Sequence, residues 1–344
     1  LVPSDLNFPE SIRRVAIVNN VNMHAPANFN VLPDDTTRLP FEIARKVTFH
    51  DGDSKLTAES LAESIAEANY FDEVLISDSL LRANDKNLRE TMLSQEEVNE
   101  LVEELDVDMI IALESIQLKA IRTVSCFLEG GYLGTVDLKI YPSINIYIPN
   151  RKLPLAGINV SDSIFWEGVY STQVRAQTQV ISDAKMIEEA SVFAGTLPVK
   201  YIAPYWKTVE RVYYSTNKSE MRDASILARK GQWDEAYKIW KKVYESEKPK
   251  DQMRASLNIA LYYEIKDDLD EAIVWVNKSL ELAKIVEKVD EEEMKYRVLL
   301  PADGTSNFHM AYLYREALNK RKEQSAKLNM QMQRFEEEVQ PVVE

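Results

Sequence analysis

The sequence predicts an α+β chain of two domains: an α/β domain over 1–215, with a mixed sheet, an antiparallel meander and helices on one face, then an all-α domain of helical hairpins over 216–344. Three observations predict it. Short apolar runs alternate with helix-period segments as far as Leu113, which makes a β, α, β, α, β order. Between Ile116 and Trp166 the apolar period falls to two. From Met221 to Lys284 the period is helical throughout, and a polar turn, a bulky apolar residue, Asp-Glu and Ala occur twice, as Trp233-Asp234-Glu235-Ala236 and Leu269-Asp270-Glu271-Ala272.

Taken in order, Arg14 to Asn19 carries a fully apolar centre and reads as a buried strand. Asn20 to Asp53, with Pro26, Pro33, Pro40 and the Asp34-Asp35 pair, reads as a long loop. Ala58, Leu61, Ala62 and Ile65 share one face of a helix opening at Thr57, and Val74-Leu75-Ile76 is a second strand. Ser94 and Glu97 make a capping box ahead of Val98, Leu101, Val102 and Leu105, and Met109 to Leu113 is the third strand. Three long one-faced strands follow: Ile116 to Leu128, Val136 to Ile148 and Ile158 to Trp166. The glycines at 130, 131 and 134 join two strand patterns, so they predict a hairpin turn and not a dinucleotide-binding loop. Ile187, Ala190 and Ala194 mark a helix from Asp183, and Trp206, Val209 and Tyr213 predict another from about Pro204.

In the C-terminal part, Trp233, Ala236, Tyr237, Trp240, Val243 and Tyr244 line one helix face, while Lys238, Lys241 and Lys242 cover the other. Leu269, Ala272, Ile273, Val276, Leu280 and Ala283 repeat the arrangement, and Met253, Leu257, Ile259, Ala260 and Tyr263 give the helix between. Such stripes need a partner. The alanines allow close helix approach.

Composition narrows function. A net charge of −15 opposes a nucleic-acid groove or a polybasic membrane patch. No apolar run reaches the roughly 18 residues of a membrane span. Cys126, the one cysteine, excludes an intrachain disulfide framework and sits at the apolar parity of its strand, which predicts a buried thiol. The start Leu1-Val2-Pro3 lacks a methionine and predicts a removed leader. His24, His50 and His309 have no partners at metal-ligand spacing. His50-Asp51-Gly52-Asp53 lacks the closing glutamate of a calcium loop and reads as a solvated turn. Glu103-Glu104, Glu188-Glu189 and Glu291 to Glu293 read as solvated helix faces. No cofactor, metal or catalytic residue is predicted.

The two Asp-Glu-Ala segments, 36 residues apart at Ala236 and Ala272, resemble tetratricopeptide repeats, whose period is roughly 34 residues. The match is degenerate: Asp267 stands where that family usually has a turn glycine, and Glu220 and Asp223 stand where its first helix is apolar. The N-terminal order is similar to that of the curli-secretion lipoprotein and the N-terminal domain of the Tol-system periplasmic protein. The residues carrying it are Arg14 to Asn19, Tyr70-Phe71-Asp72-Glu73-Val74 and Leu105 to Ala112. The whole chain resembles a TPR-containing lipoprotein family of Gram-negative anaerobes. Asp35-Thr36-Thr37, Asp78-Ser79-Leu80 and Asp162-Ser163-Ile164 resemble the O-glycosylation sequon of such organisms.

The resemblance implies a non-enzymatic cell-envelope lipoprotein, lipid-anchored at its N-terminus, that binds protein partners through its repeats. The expected docking residues, on the first helices of the hairpins, are Arg222, Ser225, Arg229, Asn258, Tyr262 and Tyr263. Two alternatives stand beside it: a hydrolase of an envelope polymer using Asp34, Asp51 and Asp53 of the 20–53 loop, and a cytoplasmic TPR adaptor.

Overall fold

In the computed structural model, residues 1–22, 41–83, 92–245, 248–289 and 306–335 are described. They form an α+β chain that divides into two compact units, 3–205 and 206–344.

The first unit is built on a seven-stranded mixed sheet. Strand β1 (Arg14–Asn19) lies between β3 (Glu73–Leu80) and β4 (Met109–Cys126), parallel to both. Val15, Ala16, Ile17 and Val18 are all fully buried, as a strand apolar on both faces requires. Val15 and Ile17 pack with Leu61 and Ile65 of α1 (Ser54–Glu67), whereas Ala16 and Val18 pack with Val98 of α2 (Gln95–Leu105). Helices therefore cover both sides of the parallel strands, where one side was expected. The capping box of Ser94 and Glu97 is present. Helix α1 starts three residues before Thr57, because the Asp53 carboxylate accepts from the amides of Lys55 and Leu56.

Strand β4 runs without a break through what the periodicity divides into two strands. A register shift between Leu113 and Ser115 reverses its parity, and that shift is what the change of period records. It pairs antiparallel along its length with β5 (Tyr132–Tyr147), and Gly130 and Gly131 take positive φ in the turn between them. The third meander strand is two pieces, β6 (Ala156–Asn159) and β7 (Asp162–Tyr170), paired to different parts of β5. On the other edge lies β2 (Glu42–Asp51), antiparallel to β4, within the segment expected to be loop. Its Ile43, Val47 and Phe49 alternate with Ala44, Lys46, Thr48 and His50, a strand signal interrupted by Arg45. Residues 23–40, including His24, Asp34 and Asp35 to Thr37, lie outside the described residues, as do Glu291 to Glu293.

Helices α3 (Gln173–Thr178), α4 (Asp183–Thr196) and the short α5 (Val199–Ile202) complete this unit. A Cβ on Gly195 of α4 would stand 2.7 Å from the backbone of Thr57 and Leu61, so α1 and α4 touch main chain to main chain there. Cys126 ends β4 half-buried, its thiol directed at the Phe41 carbonyl.

The expected helix after Pro204 does not form. Residues 206–216 are irregular, with Trp206, Val209 and Val212 exposed. Arg211, Tyr213 and Tyr214 turn inward and fasten the segment to the helical unit, ahead of the boundary expected at 215.

In the second unit α6 (Ser219–Arg229) and α7 (Trp233–Tyr244) form one hairpin, α8 (Pro249–Ile265) and α9 (Leu269–Glu287) the next. Helix α10 (Asn307–Met332) packs on α9. The hairpin turns are equivalent at an offset of 36. The Gln232 amide donates to Leu227 O and the Asp268 amide to Tyr263 O, while Gly231 and Asp267 take left-handed φ of 75° and 62°. Gly231 takes that conformation without steric cost, and Asp267 is one of the few side-chain-bearing types that tolerate it.

Candidate functional site

The structure divides the six expected docking residues. Arg222 and Arg229 lie seven positions apart on one exposed face of α6. Ser225 and Asn258 are corrections, since both are buried. Ser225 faces the helix core, and the Asn258 amide group bonds the backbone of Tyr214 twice, accepting from its N–H at 2.7 Å and donating to its carbonyl at 2.9 Å. Neither presents a side chain to a partner. Asn258 instead holds the 206–216 segment in place, a role that helical spacing could not reveal.

Tyr262 and Tyr263 are half-buried and meet a third tyrosine, Tyr237 of α7. Tyr262 stacks on Tyr237 with centroids 4.3 Å apart, and the Tyr263 and Tyr237 hydroxyls are 3.1 Å apart. The Tyr262 hydroxyl donates to Asp234 at 2.8 Å, and Lys266 Nζ, 3.0 Å from the same carboxylate, sits 5.6 Å from the Tyr262 ring centre. The bond to Asp234 pushes the Tyr262 phenol up to about 12, and the bond to Tyr237 raises Tyr263 as well. Both stay protonated near neutral pH. The cluster therefore offers aromatic faces and hydroxyl donors, fixed in place by its own contacts, and no phenolate nucleophile. Asp234 and Tyr237 were not among the expected site residues. Their signal was spacing, since Tyr237 stands beside the repeat alanine Ala236.

A second polar cluster lies at the carboxyl ends of β1 and β3, beside the mid-strand register shift of β4. Ligands of α/β sheets bind at such ends, and β1 is where successive connections turn to opposite faces. Glu114, at the register shift of β4, accepts from Asn20 at 2.7 Å and from Asn145 and Tyr147, each at 3.1 Å. Arg82 donates to Asn20 at 2.8 Å and to Glu97 at 2.9 Å. Burial raises the Glu114 carboxyl despite these bonds, and it also lifts the Tyr147 phenol, to about 12, with the Glu114 charge adding to the rise. A charged residue inside the apolar run Met109 to Ile121 was the sequence signal for this cluster. Its Glu114 oxygens are both occupied by protein donors, so it reads as a closed network that fixes the bulge.

Of the residues of the hydrolase alternative, Asp34 lies outside the described residues. Asp53 caps α1, Asp51 is exposed at the end of β2, and His50 bonds Thr48 at 3.1 Å. Among the described residues no group of three or more His, Cys, Asp or Glu side chains could hold a metal ion, and no helix is long and apolar enough to cross a membrane.

Residues 12–214, more than half of the chain, match the family model of a domain of unknown function, DUF8603, and residues 222–320 match that of a second, DUF6340. No curated protein and no solved structure matches the chain.

Proposed function

The chain belongs to the DUF8603 family of domains of unknown function, and from its geometry we propose that it is a non-enzymatic scaffold whose tetratricopeptide-like hairpins dock a protein partner. The observation that carries this reading is the tyrosine cluster of α7 and α8. Three aromatic rings are held half-exposed by an Asp234–Lys266 pair, at the point where one hairpin meets the next. Aromatic side chains already fixed before binding lose little freedom on association, and tyrosine and arginine are the types that supply most binding energy once desolvated. Exposed Arg222 and Arg229 on α6 extend the same surface type. The 36-residue equivalence of the two turns, and of the fully buried Ala236 and Ala272, supports the tetratricopeptide-like reading.

Placement in the cell envelope, anchored by a lipid, belongs to the same proposal and rests on the resemblance of the α/β element order to envelope lipoproteins. Fractionation of cells carrying the native gene tests it, and recovery of the protein in the cytosol refutes it. The docking reading is tested by affinity capture from cross-linked cells with Tyr237→Ala, Tyr262→Ala and Arg229→Ala variants. The scaffold reading predicts loss of specific partners from the Tyr262→Ala sample. An unchanged partner set in all three variants removes it.

A further inference from the structure

A cavity of about 630 Å³ opens where the N-terminal ends of α6 and α8 come together. Lys218, Lys248, Lys250 and Arg254 line it, with Asp251 as the acid among its walls. That is four cations against one carboxylate, in a chain whose net charge is −15. The positions make the concentration of charge more pointed. Lys218 is the N-cap of α6 and Lys248 the N-cap of α8; neither side chain caps its helix, and Lys250 stands in the first turn of α8. A helix N-terminus already carries partial positive charge, so each cation there is disfavoured by about 0.3–1 kcal/mol where an acid would be favoured. Two such ends bring three lysines together, beside the first-turn acids Glu220 of α6 and Asp251 of α8.

Arg254 adds a directional donor. Its Nε is shielded from solvent and has no hydrogen-bond partner, while the guanidinium stands 5.7 Å from the Tyr214 ring centre. The Asp251 carboxylate is taken by Lys218 at 3.2 Å, and among the described residues lining the cavity no other carboxylate faces the remaining three cations. An anion with several oxygens would relieve the repulsion at both helix ends and accept from Arg254.

We propose that this cavity binds a phosphoryl group, with Arg254 as the directional donor and Lys218, Lys248 and Lys250 as the neutralising charges. The site is distinct from the tyrosine cluster and does not depend on the docking reading. The phosphoryl group could belong to a soluble phosphate ester or to a phospholipid headgroup, and the two arms of one experiment separate these sources.

Inorganic pyrophosphate is titrated calorimetrically into the full chain at low salt, and in parallel the protein is sedimented with phosphatidylglycerol vesicles and with phosphatidylcholine vesicles. The site predicts saturable pyrophosphate binding that weakens as salt rises. Arg254→Gln, and separately the exposed pair Lys248→Gln/Lys250→Gln, should each weaken it by at least about tenfold, or 1.4 kcal/mol. Lys152→Gln, on an exposed turn of the α/β unit, should leave it unchanged. Sedimentation with phosphatidylglycerol alone, lost in the lysine pair, assigns the headgroup source and also supports the site. Failure of both probes to bind overturns the proposal, and so does binding that survives the lysine pair. Because those two lysines are exposed, the variant tests the site even where Arg254→Gln perturbs folding.

Discussion

Replacing Glu264 with alanine should strongly destabilise the helical unit. The carboxylate is 5% exposed and gathers three parts of the chain. Arg211 of the 206–216 segment donates to both of its oxygens at 2.9 Å, Tyr314 of α10 donates at 2.7 Å, and Arg321 lies 3.3 Å away. Removal leaves the Arg211 guanidinium without its counter-charge and the buried Tyr314 hydroxyl without its acceptor. Breaking one side of such a pair costs about 3–5 kcal/mol. With a urea dependence of about 1–3 kcal/mol per molar, the midpoint should fall by roughly 2 M. Trp233, Trp240 and Trp275 lie in this unit and report the transition by fluorescence. A companion variant, Arg211→Met with Glu264→Leu and Tyr314→Phe, removes the buried partners and leaves Arg321 its pair with Asp267, so it should recover to within about 1–2 kcal/mol of the parent. A midpoint shift below about 0.5 M for Glu264→Ala would refute the view that this carboxylate ties the segment to α8 and α10.

Gly195→Ala should destabilise the α/β unit by about 1–3 kcal/mol, because the new methyl meets main chain of α1 that cannot swing aside; thermal unfolding followed by circular dichroism reads it. Tyr147→Phe removes a donor to Glu114 and the acceptor for the Leu93 amide, and should cost about 1–3 kcal/mol in the same assay. Stability against pH should carry two opposite signatures. For Glu264, burial would raise the carboxyl, but Arg211 and Tyr314 outweigh it and hold it below its ordinary 4.5, so its stabilisation is complete above pH 4.5 and is lost as pH falls through the lower folded value. For Glu114 the folded value lies above 4.5, so stability declines as pH rises from 4.5 through that value, and Glu114→Gln should abolish this part of the profile. Urea titrations between pH 3 and 7 on both variants check the two signs.

The parts of the fold that were legible in the sequence are those where one periodicity governs a whole element. The run Val15 to Val18, the capping box at Ser94 and the repeated Asp-Glu-Ala all specify local structure through their own side chains. Elements fixed by distant partners were not legible. Strand β2 has an imperfect alternation and exists because β4 offers it an edge. The 206–216 segment has a helical stripe at Trp206, Val209 and Tyr213, yet its inward residues are set by Asn258 and Glu264, 44 and 53 positions away. The docking residues divide in the same way. Spacing identifies a helix face, but whether Asn258 points to solvent or into a neighbouring backbone depends on tertiary contacts that spacing does not encode. Tyr262 and Tyr263 were expected because tyrosine supplies binding energy once desolvated, and both lie half-buried. Tyr237 and Asp234 emerged only when α7 was seen against α8.

The docking claim is tested most directly by placing a photo-activatable phenylalanine analogue at Tyr262 in the native host and, for comparison, at Lys152 on the α/β unit. The scaffold account predicts a discrete, saturable cross-link to a protein partner from position 262 that is absent from position 152. No adduct at 262, or the same adducts from both positions, would contradict it.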